Sequence, residues 1–197
     1  MPWPRRFDAA AEEFPVCAMR RTHCHIIAAV LFAMLGGCSM LAPTYTASLE
    51  NTDRLIRAGL APARVGAFSA QAPARNDSIS VRGKTMTPAQ GTYAAYLADA
   101  ISQELQLARV LSPAAGSEIS GVLLKNDMDA AGTGVIEARF LVRNGGRVLF
   151  DKIKAVEHRW QASYLDAIPR AQQEYAVLVR KLVTDLFNDP EFTAALK

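Results

Sequence analysis

The stretch Val135-Ile136-Glu137-Ala138-Arg139-Phe140-Leu141-Val142-Arg143-Asn144-Gly145-Gly146-Arg147-Val148-Leu149-Phe150-Asp151-Lys152-Ile153-Lys154-Ala155-Val156 decides the fold class. Ile136, Ala138, Phe140 and Val142 alternate with Glu137, Arg139, Leu141 and Arg143, the period of two expected of a strand with one buried face. Asn144-Gly145-Gly146 supplies residues that tolerate positive φ, which a tight hairpin requires. Residues 135–143 and 147–156 are therefore expected to pair antiparallel, with 119–128 as a third strand beside them.

Upstream, 64–70 and 78–82 read as short strands, separated by the loop composition of Gln71-Ala72-Pro73-Ala74-Arg75-Asn76-Asp77. Thr87-Pro88-Ala89-Gln90 has the form of a capping box and predicts a helix from there to about Arg109. Its apolar stripe is Tyr93, Leu97, Ile101, Leu105 and Ala108; Asp99, Ser102, Gln103, Gln106 and Arg109 face away. A second long helix is expected over 165–188, carrying Ile168, Ala171, Tyr175, Leu178, Leu182 and Leu186 at helical spacing and ending at Asn188-Asp189-Pro190. A last short helix follows over 191–196, and a small one is expected over 51–60 with Asn51 as N-cap. The order ββαβββα predicts an α+β domain over 51–197, an antiparallel or mixed sheet of about five strands with two long helices on one face.

The amino-terminal segment carries different information. Arg20 and Arg21 precede ten apolar residues, 26–35, and then Leu35-Gly36-Gly37-Cys38. A spanning helix needs roughly 20 apolar residues, so this run is too short to cross a bilayer. The positive start, apolar stretch and small residues before a cysteine resemble the signal peptide and lipobox of bacterial lipoproteins. The resemblance implies a diacylglyceryl thioether on Cys38, cleavage between Gly37 and Cys38, and acylation of the new amino terminus. Several acyl chains would make a permanent anchor where one would be marginal. Ser39, standing where aspartate would favour retention at the inner membrane, implies the periplasmic face of the outer membrane. The segment 19–37 is then a signal peptide, and 38–50, rich in Ser, Thr, Ala and Pro, a lipidated tether.

Residues 1–18 fit this arrangement badly, because Asp8, Glu12 and Glu13 precede the basic pair and three prolines interrupt the stretch. Translation is expected to begin at Met19, which makes 1–18 an extension outside the working protein. Cleavage before Cys38 leaves 160 residues, enough for one domain, with 18 basic against 16 acidic side chains and a net charge of +2. That balance contains no basic run of the kind that binds nucleic acid. Cys38 is the one cysteine that remains, so no disulfide can form within the mature chain.

Catalytic groups are scarce. A hydrolase would have to bring His158, the one mature histidine, to Ser163 or another hydroxyl with an acid beside them. Glu157 and Arg159 cannot orient His158 if the strand continues, since they point to the other face. Asn126-Asp127-Met128-Asp129 begins like a calcium loop but has no glycine at the sixth position and no glutamate at the twelfth, so it reads as a polar strand end. Gly132-Thr133-Gly134 and Gly145-Gly146 precede strands rather than helices and read as turns, not phosphate cradles. No metal site and no cofactor are expected.

The segment His158-Arg159-Trp160-Gln161-Ala162-Ser163-Tyr164-Leu165 places Trp160, Tyr164 and Arg159 at a strand-to-helix junction, where aromatics and arginine serve either as core plugs or as interface anchors. Arg82-Gly83-Lys84 is a second, smaller basic spot, read as solvated. The order of elements is broadly similar to small envelope lipoproteins that assist outer-membrane assembly, lipopolysaccharide transport or lipid-moving ABC transporters. The resemblance implies a non-enzymatic accessory, held to the membrane by lipid and binding another envelope protein. A carrier of a lipid or other apolar ligand is the alternative, and a lipid-anchored hydrolase a third.

Overall fold

The antiparallel hairpin forms as its sequence requires. In the computed structural model, which describes residues 39–161, 163 and 165–197, strands β6 (Thr133–Asn144) and β7 (Arg147–Arg159) pair antiparallel with Asn144 opposite Arg147. Gly145 and Gly146 close the loop at φ 55° and 84°, the left-handed pair a two-residue turn demands. The expected extension over 1–18, the expected signal segment over 19–37 and Cys38 lie outside the described residues.

On the other side of β6 lies β5 (Ser117–Met128), antiparallel, and beyond it β2 (Ala63–Ala70), parallel to β5. These make a mixed four-stranded sheet in the order β2-β5-β6-β7. A second, three-stranded sheet, absent from the sequence reading, has the order β1-β4-β3. It comprises β1 (Ser39–Leu41), β3 (Ile79–Val81) and β4 (Lys84–Thr87), with β1 parallel and β3 antiparallel to β4. The protein is thus α+β as expected, but with seven strands in two sheets among the described residues rather than five in one. The additional strands are three or four residues long, too short to show a period in sequence.

The helices are α1 (Leu49–Ala58), α2 (Tyr93–Leu107), α3 (Ala167–Phe187) and α4 (Pro190–Ala195). The expected capping box is not used. Thr87 ends strand β4, and α2 starts later, where Thr92 caps by accepting the Ala95 N–H at 3.1 Å. Pro88 and Thr87 satisfy the local pattern of a helix start, but pairing with β1 claims Thr87 first. Likewise Ser48, not Asn51, caps α1. The long apolar stripes hold: Tyr93, Leu97, Ile101 and Leu105 on α2, and Ala171, Tyr175, Leu178, Leu182 and Leu186 on α3, are buried. They face Ile119, Leu123, Ala138, Phe140, Val142 and Phe150 on the covered side of the large sheet.

Helix α4 is fixed by a small ionic knot. Asp189 caps it by accepting the Glu191 N–H at 2.9 Å, with Pro190 at the first helical position. The same carboxylate takes the ammonium groups of Lys154 at 3.0 Å and Lys152 at 3.2 Å from β7. Burial pushes this carboxyl up, but Lys154, the Glu191 N–H and Lys152 outweigh it and hold the pKa at about 2, against an ordinary 3.8. The folded value is depressed, so the stability that Asp189 contributes is fully present above about pH 4 and is lost as pH falls towards 2. Asp189→Asn, which can still cap, is expected to lower stability at neutral pH by about 2 kcal/mol and to flatten that acid limb. Urea unfolding between pH 2 and 7 would measure both.

Candidate functional site

A tether should be loose, and the segment that follows Cys38 is not. Its composition gave no periodicity, but Tyr45 and, in part, Met40 are claimed by the body. Tyr45 is 1% exposed and meets Tyr96 edge-on at 6.5 Å. The Ala42 N–H donates to the Thr87 carbonyl at 2.8 Å, and the Tyr96 hydroxyl donates to that of Pro43 at 2.8 Å. From α3, Gln172 donates to the Leu41 carbonyl and Arg180 to that of Thr46. Residues 39–48 therefore form a strap belonging to the fold, so the domain extends upstream of residue 51.

Glu104 is the latch. This residue of α2 is fully buried, and its Oε1 accepts three hydrogen bonds: from the Tyr45 hydroxyl at 2.6 Å, the Ser48 N–H at 3.0 Å and Asn51 Nδ2 at 3.0 Å. Burial, and the Glu104 carboxylate beside it, push the Tyr45 phenol far up, so it stays a donor. Asn51 completes the junction by accepting from the Thr184 hydroxyl at 2.9 Å, which links α1, α2 and α3 through one amide. Sequence reasoning missed Glu104, although an acid standing between Ile101 and Leu105 in an apolar stripe was the available signal.

The groups considered for catalysis are distributed otherwise. His158 lies on the covered face at the end of β7, its Nδ1 accepting from Lys181 Nζ at 2.7 Å and its Nε2 donating to Glu174 at 2.8 Å. Lysine cannot accept, so these partners set the tautomer. The Ser163 hydroxyl donates to Asp166 at 2.7 Å, which holds that carboxyl below its ordinary value. Both ring nitrogens of His158 and the hydroxyl of Ser163 are thus engaged elsewhere, and the condition set for a hydrolase is not met by this pair.

Asp129 accepts the N–H groups of Ala131 and Thr133 at 2.9 Å each and so closes the turn between β5 and β6. Asp127 faces Arg75 at 3.4 Å. Buried Asn126 donates to the Arg75 carbonyl at 2.9 Å. Among the described residues no three acidic, histidine or cysteine side chains gather at one point.

The junction residues separate. Trp160 packs on the covered face, against the core and 5.7 Å from the His158 ring, and its backbone N–H donates to the Gly132 carbonyl at 2.9 Å. A Cβ on Gly132 would lie 2.2 Å from the Trp160 carbonyl oxygen, so only glycine permits this approach. Arg159 lies on the opposite face, exposed and paired with Glu157 at 2.5 Å. Tyr164, Gly37 and Cys38 fall outside the described residues.

No helix among the described residues is long and apolar enough to cross a membrane. What the domain does leave open is the second face of the large sheet. There Arg64 pairs with Glu118 at 2.6 Å and Arg139 with Asp151, while Ile153 is 56% exposed. Among the described residues, strand β7 is the longest, at thirteen residues, and pairs with β6 alone, forming one edge of its sheet.

No protein-family model matches the chain, and no curated protein matches it at a significant level. Solved structures do. Protein XCC0632 from Xanthomonas campestris, described under family DUF330, superposes with a TM-score of 0.56 at 13% identity, over 80% of this chain and 96% of that one. An uncharacterized protein superposes with a TM-score of 0.48 at 11% identity, over 76% of this chain and 99% of that one. At such identity the first likeness concerns the fold alone.

Proposed function

We propose that this protein is a lipid-anchored accessory of the bacterial envelope, held through Cys38 at the periplasmic face of the outer membrane, which binds another envelope protein and catalyses nothing itself. The lipobox Leu35-Gly36-Gly37-Cys38 carries this reading. It is supported by a domain with one helix-covered sheet face and one open face, bounded by a thirteen-residue edge strand that a partner strand could extend. It is further supported by the engagement of His158 with Glu174 and Lys181, which leaves neither ring nitrogen to activate a hydroxyl. The space between helices and sheet is filled by Tyr93, Tyr96, Tyr175, Phe140 and Leu178, which favours a binding surface over an apolar carrier cavity.

The expected result is that the wild-type chain takes up a clickable fatty acid and sediments with outer membranes, whereas Cys38→Ala does neither and yet folds. A photo-crosslinker replacing Ile153 should give an envelope-protein adduct in the wild-type background and at least tenfold less with Cys38→Ala. No fatty-acid label on the wild type would sink the anchor, and no adduct from any outward position of β7 would sink the docking surface.

A further inference from the structure

The small sheet starts one residue after the proposed anchor. Ser39 opens β1 level with Thr85 of β4, which is in turn level with Ser80 of β3. Cys38 is a single peptide link away, and one residue spans at most about 3.8 Å. From Ser39 onward the strap has no slack, being paired to β4 and bonded to α2 and α3 as described. A lipid on Cys38 would therefore join a rigid end of the domain rather than a swinging leash, which makes the surface around Ser39 the one that meets headgroups.

That end has a particular chemistry. The β3–β4 hairpin turns there through Arg82 and Gly83, at φ 50° and 73°, with exposed Lys84 following. A turn of this kind is usually built from asparagine and glycine, because other side chains are strained at positive φ. An arginine in such a strained place motivates a functional reading. Helix α3 runs past the strap in the same direction: Gln172 meets Leu41, Arg180 meets Thr46, and Thr184 meets Asn51. Its amino-terminal end consequently lies on the Ser39 side, preceded by Leu165, which is 91% exposed. Strand β7 runs against α3, with His158 at Glu174 and Lys154 at Asp185, so the Gly145-Gly146 turn lies at the far end.

We infer that the end bearing Arg82, Lys84 and Leu165 rests on an anionic phospholipid surface and sets one orientation of the anchored domain, with the Gly145-Gly146 turn directed away from the bilayer. This rests on the lipid-anchor reading. Two cations face the phosphates while one leucine enters the headgroup layer. Each cation close to an anionic leaflet favours contact about fivefold.

Residues 38–197 form a compact unit with its own core, so the test can use them with the Cys38 thiol coupled to a maleimide phospholipid. Orientation is then measured whether or not the cell acylates Cys38, and the intact mass of the protein purified from membranes decides acylation separately. On nanodiscs of 7:3 phosphatidylcholine and phosphatidylglycerol carrying a trace of gadolinium-chelate lipid, amide signals of residues 80–84 and of 165–167 should fall several-fold more than those of 145–146.

Arg82→Gln with Lys84→Gln should erase that contrast, as the loss of two fivefold terms lowers the docked population about 25-fold. Arg82→Asn should weaken the contrast while raising the melting temperature by about 2–4 °C, by relieving the strained φ. Equal attenuation at both ends, greater attenuation at 145–146, or the same contrast on purely zwitterionic discs would overturn the inference.

Discussion

Glu104→Ala is expected to destabilise the domain by about 3–5 kcal/mol, because two buried donors and one half-buried donor lose their acceptor in a single step. The Tyr45 hydroxyl, the Ser48 N–H and Asn51 Nδ2 all converge on Glu104 Oε1, at 2.6, 3.0 and 3.0 Å. Leaving one buried donor unpaired costs about 1–3 kcal/mol, and partial relaxation keeps the total below the plain sum. That is a large share of the ~5–15 kcal/mol that holds a domain of this kind together. Glu104→Gln retains a carbonyl acceptor at the same place and is expected to cost only about 1–2 kcal/mol. The urea midpoint orders the three proteins, and hydrogen exchange localises the damage. In Glu104→Ala the amides of 42–51 should exchange much faster than those of β5 and β6. A uniform change across the domain would show that Glu104 is not a latch for the strap. The consequence for function follows from position, since the strap lies between the proposed lipid and everything else.

Tyr175→Ala is expected to cost about 3–5 kcal/mol for a different reason. Tyr175 is fully buried where α2, α3 and the large sheet meet, with its ring 4.9 Å from that of Tyr93 and 5.4 Å from that of Tyr96. Truncation removes both aromatic contacts and leaves a cavity that the surrounding helices and strands cannot collapse into. Its hydroxyl donates to Asn126 Oδ1 over 3.3 Å, a long bond. Tyr175→Phe is therefore expected to cost about 1 kcal/mol or less. Burial and the neighbouring phenols of Tyr93 and Tyr96 raise the Tyr175 pKa well above its ordinary value, so no titration complicates the comparison below pH 10. Near-ultraviolet circular dichroism should lose the signal of the three-tyrosine cluster in Tyr175→Ala and keep most of it in Tyr175→Phe. Similar losses in the two variants would mean that the hydroxyl, not the ring, carries the stability.

These two residues also mark how far the fold was legible in the chain. Tyr175 belongs to a stripe of period 3.6, and a buried stripe on a long helix declares itself without knowledge of what covers it. The same holds for β6, whose alternation and closing Gly145-Gly146 turn depend on neighbouring residues only, whereas β7 turns Lys152, Lys154 and His158 to the covered face and leaves Ile153 exposed. Glu104 could not be assigned in this way. Its three donors lie 53 to 59 positions away, and only the folded chain brings them to its carboxylate. The strap was misread as a tether for the same reason, since β1 has three residues and takes its partners from β4 and α3.

The candidate site divides along the same line. The likeness of Leu35-Gly36-Gly37-Cys38 to a lipobox lies in contiguous residues and is legible as text, as is the scarcity of histidine and cysteine. The partners of His158 on α3, the separation of Trp160 from Arg159 by the strand's alternation, and the open face of the sheet became visible only with the topology. The sequence alone determined the α+β class, the long helices, the central hairpin and the likeness to a lipoprotein, because each is written in contiguous residues. Tertiary structure alone decided that the chain after Cys38 is a latched strap and not a leash, because an irregular segment acquires order only from surfaces that distant residues provide.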